Sequence, residues 1–105
     1  MAQFDVYENP SKQTRKAYPY ILDIQHSLIE DIATRIVVPL GDAKKFNTEE
    51  LKGLTPKVEF EGKTLLILMP QITSMSARSL KDPVGTLSHL RDEIISSLDL
   101  AITGI

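Results

Sequence analysis

The chain contains no cysteine, which excludes disulfides, cysteine–zinc sites and thiol nucleophiles together and fits a reducing cytoplasm. Histidine is scarce as well. The only two, His26 and His89, lie far apart in sequence, which argues against a metal site. The longest strongly apolar run, 65–69, is too short to span a membrane, and residues 1–5 have neither the basic opening nor the apolar run of a signal peptide. These absences predict a soluble cytoplasmic protein without a cofactor.

A strong excess of one charge is also missing. The formal net charge is -2 over 105 residues, so the chain has no general attraction to nucleic acid, and any such contact needs a local basic patch. Apolar residues make up 42% and charged residues 25%, as in ordinary globular proteins. This length and composition predict one domain over residues 1–105, with a single hydrophobic core.

Alternating or β-branched apolar runs, bounded by proline, glycine and asparagine, predict five to six successive strands. The runs lie at 3–8, 20–25, 34–38, 57–60, 63–69 and 72–76. Pro39 is expected to end the third strand, a turn is expected near Glu30 and Asp31, and Glu61-Gly62 has the composition of a hairpin turn. Asn47 and Glu50 have the spacing of a capping box for a helix of one or two turns.

A final helix is predicted from apolar residues that recur at steps of three and four. They are Leu87, Leu90, Ile94, Ile95, Leu98, Ala101, Ile102 and Ile105. The helix begins either at Asp82-Pro83, a cap followed by proline, or near Ser88. Strands followed by one helix indicate an α+β fold, a small antiparallel β-barrel or twisted sheet with a C-terminal α-helix.

The apolar segment 102–105 follows this helix directly, so we expect it to lie against a packed surface, in the fold or in a partner. Gly104 also suits a left-handed helix cap, with Ile105 as the hydrophobic contact that accompanies it. Both interpretations remain open from the residues alone.

Motifs of catalysis are missing. The chain has no G-x-S-x-G, no H-E-x-x-H and no glycine-rich phosphate loop, and Asp92 and Glu93, adjacent on a helix, point about 100° apart. The residues that folding would have to bring together into a basic groove for RNA cleavage are Arg35, Arg78, Lys81 and Arg91. Arg35 also lies where it balances the charge of the Glu30-Asp31 turn.

Four strings occur in the order that one protein family has them: YILDIQ at 20–25, TRIVVPL at 34–40, MPQITSM at 69–75, and 87–105 ending in Gly104-Ile105. From Gln3-Phe4 to its last residue the chain resembles CcdB, the DNA gyrase poisons of type II toxin–antitoxin modules. The resemblance implies a homodimer of SH3-like barrels that is not an enzyme. It implies binding to the A subunit of DNA gyrase, which holds gyrase in its DNA-cleaved state.

The resemblance also implies which residues contact gyrase. They are Leu28, Ile29, Asp99, Ile102, Thr103, Gly104 and Ile105. The best-known member has tryptophan at the position of Thr103 and asparagine at that of Asp99, so this chain lacks an aromatic ring for stacking on an arginine and gains a charge.

A CcdA-like antitoxin with a disordered tail is the second implied partner, and DNA is contacted only indirectly, through gyrase or through the antitoxin complex on its operator. Lys12, Arg15 and Lys16 form either a solvated loop or a docking site for an acidic tail. Two alternative functions remain: a ribonuclease toxin on the same barrel, and a non-toxic dimeric interaction module.

Overall fold

The computed structural model describes residues 2–26, 33–46 and 53–104. They form seven strands and one α-helix. The strands are β1 (Asp5–Glu8), β2 (Tyr20–Asp23), β3 (Thr34–Asp42), β4 (Lys57–Phe60), β5 (Lys63–Ile67), β6 (Thr73–Ser76) and β7 (Gly85–Thr86), and the helix α1 is Arg91–Thr103. Short 3-10 turns cover Ala43–Lys45, Met69–Gln71, Ala77–Ser79 and Ser88–Leu90.

All pairings in the sheet are antiparallel, in the order β4-β5-β3-β2-β1-β7. The long strand β3 organises it. One edge of β3 pairs with β2, while its other edge pairs first with β6, from Thr34 to Val37, and then with β5, from Leu40 to Asp42. Because one strand serves two neighbours along one edge, the sheet curls into a half-barrel. The predicted α+β barrel with a C-terminal helix is confirmed.

The prediction that Pro39 ends the third strand is wrong, because β3 continues through it to Asp42. Pro39 lies opposite Ile21 in the pairing with β2. On its other edge the Leu68 N–H donates to the Pro39 carbonyl (3.1 Å), and β5 has already ended at Ile67. Pro39 therefore lies where this edge of β3 changes its partner from β6 to β5. No regular sheet hydrogen bond from an N–H of residue 39 is needed at that point.

The two faces of the sheet carry separate apolar clusters, as the alternation of side chains along a strand requires. The main core lies under helix α1. Its fully buried members include Val6, Leu22, Val38, Leu40, Leu65, Ile67, Met69, Leu87 and Ile94. The opposite face carries a smaller cluster of Tyr7, Ile21, Val37 and Leu80, with Met75 packed against it.

Backbone conformation and hydrogen bonds at the strand ends explain why the first two strands are shorter than predicted. β1 begins at Asp5 because Phe4 takes a positive φ of 71°, and the Phe4 carbonyl accepts from the Leu87 N–H (2.8 Å). β2 ends at Asp23 because the Gln25 N–H donates to the Asp23 carboxylate (3.0 Å). An aspartate side chain that binds the backbone two residues on closes a turn.

The predicted hairpin is confirmed. Glu61 and Gly62, with φ of 50° and 75°, join β4 to β5, as expected for a two-residue turn with positive φ at both positions. β5 ends at Ile67, two residues earlier than predicted, because a 3-10 turn containing Pro70 begins at Met69. The Ile72 N–H closes that turn on the Met69 carbonyl (3.1 Å), so β6 begins at Thr73.

A helix start at Asp82-Pro83 is wrong, while a start near Ser88 is close to the observed one at Arg91. After Pro83 the Val84 N–H donates to the Val6 carbonyl (2.8 Å), and Gly85 and Thr86 pair with β1. Glycine is needed at Gly85, because a Cβ there would lie 2.6 Å from the Phe60 ring. The turn predicted at Glu30 and Asp31 and the capping box of Asn47 and Glu50 lie outside the described residues.

Candidate partner-binding surfaces

Helix α1 is held on the sheet by one side. Ile94 is fully buried, and Leu90, Ile95, Leu98 and Ala101 pack partly buried against the main core. The helix ends in a left-handed cap at Gly104 (φ 75°), whose N–H donates to the Leu100 carbonyl (3.0 Å). The cap predicted at Gly104 is therefore present.

Ile102 does not follow the rest of the apolar stripe, because its side chain is 64% exposed. Thr103 and Gly104 are exposed too, so the expectation that this segment lies against a packed surface of the fold is wrong for the residues described. At 100° per residue, Ile102 lies about 80° around the helix from Ile94, and Ile95, at 100°, still packs on the core, so the exposure of Ile102 comes from its place in the last turn of the helix and not from its angle. An exposed isoleucine at a helix end is available to a partner.

Asp99 has Ile102 and Thr103 as its neighbours three and four residues along α1, and all three are exposed. We call them the outward triad. The Thr103 hydroxyl donates to the Asp99 carbonyl (2.6 Å), so this donor is already engaged within the helix. The structure thus brings together three of the gyrase contacts predicted from the sequence. Leu28, Ile29 and Ile105 lie outside the described residues.

Lys12, Arg15 and Lys16 lie on the loop between β1 and β2, and they border a depression that Lys45 and Lys63 also line. The sequence analysis did not find the last two. Arg15 is not comparable with the lysines, because it forms an ion pair with Glu8 (3.1 Å) and its Nε donates to the Asn9 carbonyl (2.9 Å). Lys12, Lys16, Lys45 and Lys63 form no ion pair with any described residue, and we call them the lysine ring.

Contacts between distant parts of the chain assemble the lysine ring. Asp42 caps the turn that carries Lys45 by accepting from the Lys44 N–H (3.0 Å), and its own N–H donates to the Ala17 carbonyl (2.9 Å). The rings of Tyr18 and Phe46 also meet at 5.4 Å. Lys63 is brought near by the hairpin, in which Phe60 packs edge-on against Tyr20 at 5.1 Å. Apart from the Asp42–Lys44 cap, these contacts join residues far apart in sequence, so no motif predicts them.

Arg35 and Asp23 form a buried ion pair on the face opposite helix α1. Arg35 Nη2 lies 2.7 Å from Asp23 Oδ2, and Arg35 Nε donates to the same oxygen (3.0 Å). Arg35 Nη2 also donates to the Gln25 carbonyl (3.2 Å). Burial raises the pKa of Asp23 above its ordinary value, and the hydrogen bonds from Arg35 and from the Gln25 N–H oppose part of this rise.

This pair corrects one expectation for Arg35. Its side chain is 2% exposed and is engaged with Asp23, so it does not contribute to an exposed basic groove with Arg78, Lys81 and Arg91. The Glu30-Asp31 turn, whose charge Arg35 was also expected to balance, lies outside the described residues. The sequence does indicate that Arg35 is buried, because Arg35 and Val37 are two residues apart on a strand and their side chains therefore point to the same face.

The remaining groups singled out for chemistry lie at the surface. His26 and His89 are exposed, and so are Asp92 and Glu93 at the start of α1, where acidic side chains suit the helix dipole. Within the described ranges no three histidine or carboxylate side chains come close enough to hold a metal ion. In these same ranges, no helix is long and apolar enough to cross a membrane.

The described residues form a small α+β protein, a half-barrel with a C-terminal helix, with an exposed apolar residue at the helix end and a separate lysine ring. The family model of the CcdB protein matches residues 3–104. The chain therefore belongs to the CcdB family, which comprises toxins of toxin–antitoxin modules.

Proposed function

We propose that this toxin binds the A subunit of DNA gyrase and traps gyrase on cleaved DNA, with the outward triad as part of the contact. The observation that carries the proposal is the exposure of Ile102 beside Asp99 and Thr103, on the side of α1 that the fold leaves uncovered. An apolar side chain that is already exposed loses no internal packing when it enters a pocket of a partner, so its burial there favours binding.

Two features of the toxin hold the last turns of α1 in place. The half-buried face of α1 fixes the helix on the sheet, and the Gly104 cap fixes its last turn. A preorganised apolar residue loses little conformational entropy on binding. We further propose that the toxin acts as a homodimer, because one surface repeated about a two-fold axis can match a symmetric cavity in a dimeric target.

The first test measures binding of purified gyrase A subunit by calorimetry with Ile102→Asp. We expect affinity to fall about tenfold or more, because a charge would replace an apolar group in the contact. The matched control is Val84→Asp, which places the same charge at another exposed apolar residue, 44% exposed and outside α1. Equal affinity of Ile102→Asp and wild type would remove Ile102 from the contact.

For the antitoxin we propose docking of an acidic tail at the loop that carries Lys12, Arg15 and Lys16, with Lys45 and Lys63 across the same depression. What supports this is the concentration of four lysines, the lysine ring, that form no ion pair with a described residue. Opposite charge on the two partners speeds encounter and fixes register. Disordered tails pay an ordering cost on binding, so long-range attraction is useful to them.

Charge reversal tests this surface. Lys12→Glu with Lys16→Glu should weaken binding of the antitoxin encoded beside the toxin, and should flatten the dependence of affinity on salt. The control is Lys57→Glu, another exposed lysine, which lies on β4 and outside the depressions that Lys12 lines. Unchanged affinity and salt dependence in the double variant would place the antitoxin elsewhere.

A further inference from the structure

Asn9 is a buried polar residue at the base of the loop that bears Lys12 and Lys16, and it is 5% exposed. Its amide donates to the Tyr18 carbonyl (2.7 Å) and to the Thr14 hydroxyl (3.0 Å). Its amide oxygen accepts from the Ser11 N–H (2.9 Å). One side chain therefore binds the beginning, the middle and the end of the same loop.

The backbone of Asn9 adds two more ties. Its N–H donates to the Pro19 carbonyl (3.1 Å), which continues the pairing of β1 with β2 beyond Glu8 and Tyr20. Its carbonyl accepts from Arg15 Nε (2.9 Å), while Arg15 also pairs with Glu8 (3.1 Å). Arg15 is thus part of the support of the loop, and the cations that the loop presents to solvent are the two lysines.

We propose that Asn9 is a positioning residue for the lysine ring. Its hydrogen bonds hold the loop that carries Lys12 and Lys16 in the conformation that an acidic peptide recognises. The inference rests on the proposed docking of an acidic tail at this surface. Asn9 itself is buried and carries no charge, so it acts through the placement of Lys12 and Lys16. A loop that is fixed beforehand does not have to be ordered when the peptide arrives.

Two variants distinguish the contributions of the side-chain hydrogen bonds of Asn9. Asn9→Ala removes all three side-chain hydrogen bonds, and Thr14→Val removes only the bond to the Thr14 hydroxyl, at an exposed position where folding is not at risk. Neither changes the number of charges. The probe is a fluorescein-labelled octaglutamate peptide, which tests the anionic surface without depending on the identity of the antitoxin.

We expect Asn9→Ala to weaken octaglutamate binding about three- to tenfold, which corresponds to about 0.7–1.4 kcal/mol, the cost of ordering about one loop residue. Thr14→Val should have a smaller effect in the same direction. The loss in Asn9→Ala should disappear when Lys12 and Lys16 are both alanine, and should persist when Lys63, which lies on β5 and not on the loop, is alanine.

Hydrogen exchange supplies a readout that does not depend on the ligand. The Tyr18 N–H donates to the Thr14 carbonyl (2.9 Å) inside the loop, and its protection should fall in Asn9→Ala. Unchanged protection would overturn the positioning role directly. A loss of affinity that is the same with and without Lys12 and Lys16 would show a general structural effect and would also overturn it.

Binding by the wild-type protein tests the proposed docking surface separately. If wild-type protein does not bind octaglutamate at low salt, the lysine ring is not an anionic-peptide site, and the inference about Asn9 falls with it. Gyrase A binding should be unchanged in Asn9→Ala and Thr14→Val, because the outward triad lies on α1. A parallel loss of both affinities would mean that Asn9 supports the whole fold rather than this surface.

Discussion

The guanidinium of Arg35 and the carboxylate of Asp23 lie 2.7 Å apart, and neither side chain reaches solvent. The pair joins β2 to β3 across the face that carries Tyr7 and Val37. Removing two charges from water is costly, so such a pair is tolerated only when its hydrogen bonds are satisfied. Here Arg35 also reaches the Gln25 carbonyl, and Asp23 also accepts from the Gln25 N–H.

Breaking the pair should be more harmful than removing it. Arg35→Leu leaves a buried carboxylate without its partner, and we expect a loss of about 3–5 kcal/mol in the free energy of unfolding. The double change Asp23→Leu with Arg35→Leu should lose less. Chemical denaturation of the three proteins measures this, and a double variant less stable than Arg35→Leu would contradict the account.

The same variant should depend on pH in a defined direction. Arg35 opposes the rise in the pKa of Asp23, so its removal raises that pKa further. A carboxyl whose folded pKa lies above its unfolded value, 3.8, favours the folded state at low pH and loses this contribution as pH rises through the folded pKa. Arg35→Leu should therefore regain stability, relative to wild type, as pH is lowered toward 4. A difference between the two proteins that stays constant with pH would count against it.

Tyr7 should limit stability at alkaline pH. Burial raises its pKa above 10.0, and the charges of Asp5 and Asp23 add to the rise, while Arg35 opposes it. The unfolded chain therefore ionises first, and the free energy of unfolding falls between pH 10 and the folded pKa by up to about 1.4 kcal/mol per pH unit. Tyr7→Phe should flatten this fall in denaturation curves, and an unchanged slope would show that other groups cause it.

We expect the change of glycine to alanine to have different effects at Gly85 and at Gly62. In Gly85→Ala the new Cβ would meet the Phe60 ring at 2.6 Å, so we expect a loss of about 1–3 kcal/mol and a change in the near-ultraviolet circular dichroism of the Phe60–Tyr20 contact. Gly62→Ala meets nothing within 4 Å, and its cost of about 1–2 kcal/mol comes from the positive φ alone. Its aromatic signal should remain that of wild type, and the same spectral change in both variants would contradict the assignment.

We expect Asp99 to combine a small cost in stability with its proposed role in gyrase binding. It lies near the C-terminal end of α1, where a negative charge opposes the helix dipole and no basic residue occupies the last turn. Asp99→Asn should slightly raise the midpoint of thermal unfolding and should reduce the salt dependence of gyrase A binding. A salt dependence identical to that of wild type would show that the carboxylate does not face a charged group of gyrase.

The sequence predicted the parts of this fold that depend on neighbouring residues. The Glu61-Gly62 turn and the buried side of α1 follow from local composition and period, and both are confirmed. The path of β3 through Pro39 was missed because a local rule says that proline ends a strand, whereas the changeover of partners on one edge decides the outcome. The residues of one segment do not show which distant strands it pairs with.

The candidate surfaces show the same division. The helical spacing makes Ile102 and Thr103 neighbours of Asp99, but the exposure of Ile102 depends on where the core beneath the helix ends. Lys45 and Lys63 join Lys12 and Lys16 only through contacts between separate strands and turns. Arg35 was assigned to a charged groove because its partner, Asp23, lies on another strand.

Cleavage of plasmid DNA tests the central claim most directly. Supercoiled plasmid is incubated with gyrase, ATP and the toxin, and the reaction is stopped with detergent and protease so that trapped breaks are released. Wild-type toxin and Val84→Asp should give linear DNA, and Ile102→Asp should give much less at the same concentration. Supercoiling that proceeds without breaks in the presence of excess wild-type toxin would contradict the account.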